Sequence, residues 1–203
     1  MATARRGLLV AFEGIDGSGK TTQVDGLCAL LERTGVAFVR TREPTDGPFG
    51  RRIRESARTG RMSPEDEAAA FIEDRREHVR DLIAPALAEG KVVVVDRYLH
   101  STVAYQGALG LDPDELLRRQ AFAPAPDLLF IVDVPPEVGL SRVHGRGDRA
   151  DLFEERENLT RVRAILQTIE GPGVHRLDGR AAPPTLAATV ARVVEEALAA
   201  RGR

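Results

Sequence analysis

Leu8-Leu9-Val10-Ala11-Phe12, followed without a break by Glu13-Gly14-Ile15-Asp16-Gly17-Ser18-Gly19-Lys20-Thr21-Thr22, is the stretch on which the fold turns. The apolar run 8–12 reads as a parallel strand buried on both faces. The helical pattern from 20 to about 34, stopped by Gly35, reads as the helix that follows it. Between them, residues 14–21 fit G-x-x-x-x-G-K-[ST] in the setting that motif requires, strand before and helix after. The glycines let the backbone curl until successive N–H groups point inward, and the helix N-terminus adds partial positive charge. Lys20 can then reach the β- and γ-phosphates of a nucleotide as a point charge, while the Thr21 hydroxyl can ligate Mg²⁺. A chance glycine-rich turn, or a decayed loop that no longer binds nucleotide, would carry the same letters. The loop alone names no reaction, since GTPases, motor ATPases, regulatory switches and small-molecule kinases share it.

Outward from this stretch, four more apolar runs read as strands: 36–39, 91–95, 128–132 and 174–177. Helical patterns separate them. A short basic helix spans about 50–58. A long one starts at the Ser63 cap with Pro64 in its first turn and runs toward 89, where Pro85 bends or divides it. Further helices are expected near 99–108, 112–121, 137–143, from about 151 to 169, and 185–200. Strands alternating with helices, with no hairpin signal, predict an α/β fold: a five-stranded parallel sheet flanked by helices on both faces. No linker or repeat interrupts the 203 residues, which predicts one domain.

Composition narrows the surroundings. A net charge of −2 gives no bulk pull toward nucleic acid, so anion binding must come from local arginines. No apolar run approaches the length of a membrane span, and residues 1–7 lack the apolar core of a secretory signal. Cys28 is the one cysteine, so no internal disulfide forms and a reducing, cytoplasmic setting is expected.

Two further signals point to phosphate chemistry. The strand 91–95 ends in Asp96-Arg97-Tyr98, at the sheet edge where open α/β folds bind ligands. Asp96 could hold Mg²⁺ beside Thr21, and Arg97 could grip an acceptor phosphate; a helix cap or strand-end ion pair would use the same residues. Arginines also crowd the loops: Arg42, Arg51, Arg52, Arg54 and Arg58 around the second strand, and Arg142, Arg146 and Arg149 in a glycine-containing stretch between two helices. Arginines there suit a short lid, about 142–153, that neutralises a transferring phosphoryl group and excludes water.

Phe12 to Gln23, Thr41-Arg42-Glu43-Pro44, Phe71 with Arg75, Asp96-Arg97-Tyr98, Ser101-Thr102, Ala104-Tyr105-Gln106-Gly107 and Pro126-Asp127-Leu128 follow one another in an order and spacing that resembles the thymidylate (dTMP) kinase family. The resemblance implies a P-loop fold and transfer of the γ-phosphoryl group of MgATP to dTMP, giving dTDP for the dTTP pathway. It implies that Phe71 stacks on the thymine and Arg75, four residues on and on the same helix face, bonds a base carbonyl. Gln106, with Thr102 beside it, would read the polar edge of the base, an amide being able to donate and accept at once. Tyr105 would pack against the deoxyribose and Asp16 approach its 3′-hydroxyl. Arg42, Arg54 and Arg97 would clamp the acceptor phosphate, with Glu43 orienting them. Gly14, Gly17, Ser18, Gly19, Lys20, Thr21 and Thr22 would hold the donor phosphates, and Arg142 would stack on adenine. With no basic residue inside the loop before Lys20, the family pattern takes catalytic arginine from the lid, here Arg146 or Arg149. A homodimer is implied in the same way. One departure stands out: Arg161-Val162-Arg163 is followed by Ile165 and Leu166, with no aromatic after Phe153. Kinases of another small acceptor, a nucleotide-dependent switch and a binding module are the competing readings; acceptor-dependent ADP formation separates them.

Overall fold

The computed structural model describes residues 7–60, 62–144 and 151–202; for 144 and 151–154 only the backbone is described. Five strands form one sheet in the order β2-β3-β1-β4-β5, every pairing parallel. They are β1 (Leu8–Glu13), β2 (Phe38–Arg42), β3 (Val92–Asp96), β4 (Leu128–Asp133) and β5 (Val174–Asp178). The chain moves from β1 outward to β2, returns to β3, then crosses to β4 on the other side of β1. The crevice where the order reverses therefore opens at the C-terminal end of β1, the place such sheets use for ligands.

Alternation along the strands divides the interior. Leu9, Ala11, Val93, Val95, Leu129 and Ile131 face one core, and Leu8, Val10, Phe12, Val92, Val94, Phe130 and Val132 face the other. The second core is closed by α1 (Lys20–Arg33) and α9 (Pro183–Ala200), through Val24, Leu27, Cys28 and Leu31 against Leu186, Val190, Val193 and Val194. The first is closed by α4 (Ala84–Ala88), α5 (Leu99–Ala108) and α8 (Asp151–Thr168). Helices thus cover both faces, and the α/β class read from the sequence holds. The remaining elements are α2 (Pro48–Thr59), α3 (Pro64–His78), α6 (Pro113–Arg119) and α7 (Pro136–His144).

Two boundaries differ from the sequence reading. The second strand runs over Phe38–Arg42 rather than 36–39. It is an edge strand, half-exposed along its length, so Arg40 and Arg42 fit where a buried strand would need apolar residues. The long helix is not divided by Pro85. A π-helical turn, Val79–Ile83, joins α3 to α4 immediately before it. The bond that Pro85 cannot donate falls within this wider turn.

Every strand ends in a charged side chain: Glu13, Arg42, Asp96, Asp133 and Asp178. The sheet interior is apolar and its C-terminal rim is polar, which puts the chemistry on one edge.

Candidate active site

The loop after β1 is shaped by backbone. Gly17 and Gly19 have φ of 71° and 98°, in the region L side chains avoid. A Cβ on Gly17 would also stand 2.1 Å from the carbonyl oxygen of Gly139, at the start of α7. Gly19 caps α1 with no side chain over the helix end, so the first N–H groups are left to face a ligand. Lys20 is buried and donates from Nζ to the Ile15 carbonyl at 2.9 Å. Burial, and then the positive charge of Arg97, lower its pKa to about 7. A phosphate at the loop would add to the pull of Asp16, Asp96 and Glu13 on this ammonium. Thr21 Oγ1 donates to Asp96 Oδ2 at 2.7 Å, bringing together the two residues read as metal-holding. Arg142 reaches back over the loop, donating to the carbonyls of Gly17, Ser18 and Gly179. There it walls a shallow depression with Thr22, Gln23 and Pro183.

Beside the loop lies a cleft of about 250 Å³, enclosed by α2, α3 and α5. It gathers Asp16, Glu43, Arg54, Phe71, Arg75, Arg97, Thr102, Tyr105 and Gln106 from far-apart parts of the chain. Phe71 and Arg75 do share one face of α3. Asp16, Glu43 and Arg97 line both this cleft and the one over the P-loop, and Arg42 lines only the latter.

Arg97 is the hinge between the two clefts. It follows β3 with φ of 66°, its N–H donating to the Phe12 carbonyl at 3.0 Å. Its guanidinium donates to Asp16 Oδ1 at 2.6 Å, and Tyr105 Oη donates to Asp16 Oδ2 at 2.9 Å. Burial alone would raise the Asp16 pKa, but Arg97, Lys20 and the Tyr105 hydroxyl outweigh it and hold the carboxyl below its usual range. Burial likewise pushes the Tyr105 phenol up, to about 12, so it stays a donor.

Arg75 lies deep in the fold. It is 1% exposed and donates to Glu43, Gln120 and Thr102 Oγ1, the last at 3.2 Å. His78 Nδ1 meets the second Glu43 oxygen at 2.9 Å. Glu43 is thus engaged by Arg75 and His78 rather than by the loop arginines. Arg54 donates to the carbonyls of Pro44 and Thr45 and to Asp46, and Arg42 also meets Asp46. The residues of the lid reading, Arg146 and Arg149, lie outside the described residues.

Several side chains of the site carried no role in the sequence reading. Glu13 is fully buried and binds the N–H groups of Tyr98 and Ser101 at 2.9 and 3.0 Å, and the Ser101 hydroxyl. It ties the end of β1 to the start of α5. Burial raises its pKa against those hydrogen bonds. Glu67 stands one turn before Phe71 on α3 and bonds Gln106; the same spacing that paired Phe71 with Arg75 would have found it. His78 and Gln120 gave no such signal. Asn158, on α8, lines the cleft with a buried Oδ1 that has no hydrogen-bond partner.

A family model described as Thymidylate kinase matches residues 12–181. Among curated relatives, a "Thymidylate kinase" of Xanthomonas campestris pv. campestris (strain B100) is 51% identical over 197 residues, 97% of this chain and 87% of that protein. One of Xanthomonas oryzae pv. oryzae (strain PXO99A) is 50% identical over 195 residues, covering 96% and 86%. One of Xylella fastidiosa (strain M12) is 48% identical over 195 residues, covering 96% and 90%.

Proposed function

The chain belongs to the thymidylate kinase family, whose reaction is phosphorylation of dTMP to dTDP with ATP as donor, and on that premise we propose how its residues divide the work. The single observation that carries the proposal is that the two clefts meet at Asp16, Glu43 and Arg97. A donor on the P-loop and an acceptor beside Phe71 would then face each other across Arg97, the arrangement in-line transfer needs.

On the donor side, the loop N–H groups from Gly14 to Thr22 cradle the phosphates, Lys20 contacts the β- and γ-oxygens, and Arg142 lies over the adenine. Thr21 and Asp96 offer hard oxygen ligands 2.7 Å apart. No cluster of three or more His, Cys, Asp or Glu able to hold a metal exists among the described residues. This suits Mg²⁺, which keeps waters and substrate phosphates and takes only one or two protein oxygens. When bound, Mg²⁺ would neutralise charge on the donor phosphates.

On the acceptor side, Phe71 stacks on the thymine, Arg75, Thr102 and Gln106 face its polar edge, and Tyr105 and Asp16 flank the sugar. Arg97, with Arg42 and Arg54, holds the acceptor phosphate. That phosphate oxygen is already a nucleophile, so no strong general base is required. Catalysis then rests on positioning and on positive charge from Lys20 and Arg97. The lid over about 142–153, with Arg146 and Arg149 as further catalytic cations, rests on the resemblance.

We further propose one domain spanning 1–203, a homodimer and a cytoplasmic setting. α9 returning onto α1 and the family resemblance support the first two; lone Cys28 supports the third. No helix among the described residues is long and apolar enough to cross a membrane.

The test is coupled ADP release with MgATP and dTMP, dUMP, dCMP, dGMP or UMP. dTMP gives the strongest response and dUMP a weaker one, about 10- to 200-fold lower in kcat/KM, because a pocket rejects a missing methyl only modestly. Equal use of dTMP and dUMP would remove the thymine-specific reading and leave the kinase.

A further inference from the structure

Gln106 has two unlike ends, and the end that meets the base decides which bases fit. Its Nε2 donates to Glu67 Oε2 at 3.1 Å, with both residues nearly sealed from solvent. Its Oε1 is buried without a hydrogen-bond partner. Both residues line the acceptor cleft. A carboxylate only accepts, so the amide must turn its NH₂ toward Glu67 and its oxygen elsewhere. Turning the amide over would set two acceptor oxygens against each other and leave the NH₂ unpaired.

Neither partner is free to drift. The Gln106 carbonyl accepts from the N–H groups of Leu109 and Leu111 at 3.1 and 3.2 Å, which pins the C-terminal end of α5. The Glu67 N–H donates to the Ser63 carbonyl at 2.9 Å in the first turn of α3. From there Glu67, Phe71 and Arg75 follow one another at four-residue spacing along the stripe that faces the cleft. A buried oxygen with no partner is uncommon in a folded protein, and here it sits in a pocket whose ligand can complete it.

We propose that Glu67 is a specificity-determining positioning residue. It holds the Gln106 amide with its oxygen presented to the cleft, so the site favours a pyrimidine whose ring N3 carries a hydrogen over one whose N3 is a bare acceptor. Thymine and uracil have that N–H; cytosine presents a lone pair to a lone pair. Without Glu67, an amide can turn to suit either ring. The inference rests on the cleft being the acceptor-nucleotide site, and the experiment separates the two.

The measurements are kcat and KM for dTMP, the inhibition constant of dCMP competing with dTMP, and thermal unfolding. The proteins are the wild type, Glu67→Gln, Gln106→Ala and the double variant Glu67→Gln/Gln106→Glu. An amide at position 67 can offer either end to Gln106, so Glu67→Gln is expected to narrow the preference for dTMP over dCMP by about tenfold. The change is expected in KM and the inhibition constant, with kcat and the melting temperature little altered. The double variant restores one fixed acceptor facing the cleft and recovers the preference. The proposal is overturned if Glu67→Gln weakens both nucleotides equally, or if the preference stays at its wild-type value. Should Glu67→Gln fail to fold, the double variant decides, and loss of preference there counts against the idea. A wild-type preference in Gln106→Ala would overturn the proposal, since Gln106 would not be reading the ring; an unchanged KM for dTMP in that variant as well would remove the reading of the cleft itself.

Discussion

The donor loop and the acceptor cleft share an arginine and an aspartate, yet they are built in opposite ways. The loop is a continuous run of residues that offers backbone N–H groups and one lysine. The cleft is assembled from the loops after β1, β2 and β3 and from α2, α3, α5 and α8, and its floor is a sealed network of Arg75, Glu43, His78, Thr102 and Gln120. In the loop, function and stability are separable, because Lys20 sits in a fold that gains little from its charge. In the cleft they are not, because the groups that shape the pocket also hold each other's buried charge.

The sharpest test of this contrast is Lys20→Ala. Loss of about 10³-fold in kcat is expected, the size typical of removing a preorganised transition-state contact. The melting temperature should hold or rise, since burial already weakens the ammonium. A variant that loses activity by unfolding would erase the distinction.

Glu43→Ala should do both kinds of damage. It strands Arg75, 1% exposed, without its carboxylate, and breaking a buried pair from one side costs about 3–5 kcal/mol. A fall in melting temperature of roughly 10–15 °C is expected at this chain length, together with a raised KM for the acceptor and little change in KM for ATP. If stability holds, the network is decoration rather than floor.

A smaller effect comes from behind the cleft. Burial, and then the charge of Arg75, depress the His100 pKa from 6.5 to about 4. Arg118 and Glu170 are the charged residues sharing its groove. Between those values the unfolded chain binds the proton and the folded chain does not, so the contribution of His100 to stability is lost as pH drops from 6.5 to 4 and levels off below. His100→Phe should remove about 1–3 kcal/mol of that slope in denaturant titrations across the window. An unchanged slope would place the acid sensitivity elsewhere.

This division also explains what could be read from residues alone. The run 8–22 carries its own context, so strand, loop and helix are all legible within it. Asp96 closing its strand beside Thr21 was legible too, since strand ends of parallel sheets gather on one edge. Arg75 shares the cleft-facing side of its helix with Phe71, as the four-residue spacing predicts, but nothing local tells how deep it lies. Its partners Glu43 and Gln120 lie 32 and 45 residues away in the chain, and no local spacing announces such a network. Pro85 marks where the long helix is disturbed, but nothing in the composition tells that the disturbance is a π turn at Val79–Ile83. β2 was displaced because an edge strand mixes arginine with apolar residues, and the apolar run alone points to the wrong register. Asn158 enters the cleft from a helix whose other residues gave no reason to look there.

Four arginines around the clefts come with a carboxylate: Arg97 with Asp16, Arg54 and Arg42 with Asp46, Arg75 with Glu43. The protein therefore carries its own counterions. On the proposed assignment an incoming phosphate would not fall into a bare positive well; it would enter by exchange, displacing an aspartate that is already well placed. Exchange of this kind would discriminate against small inorganic anions, which bring charge but no base or sugar to tip the balance, and would soften the dependence of substrate affinity on salt.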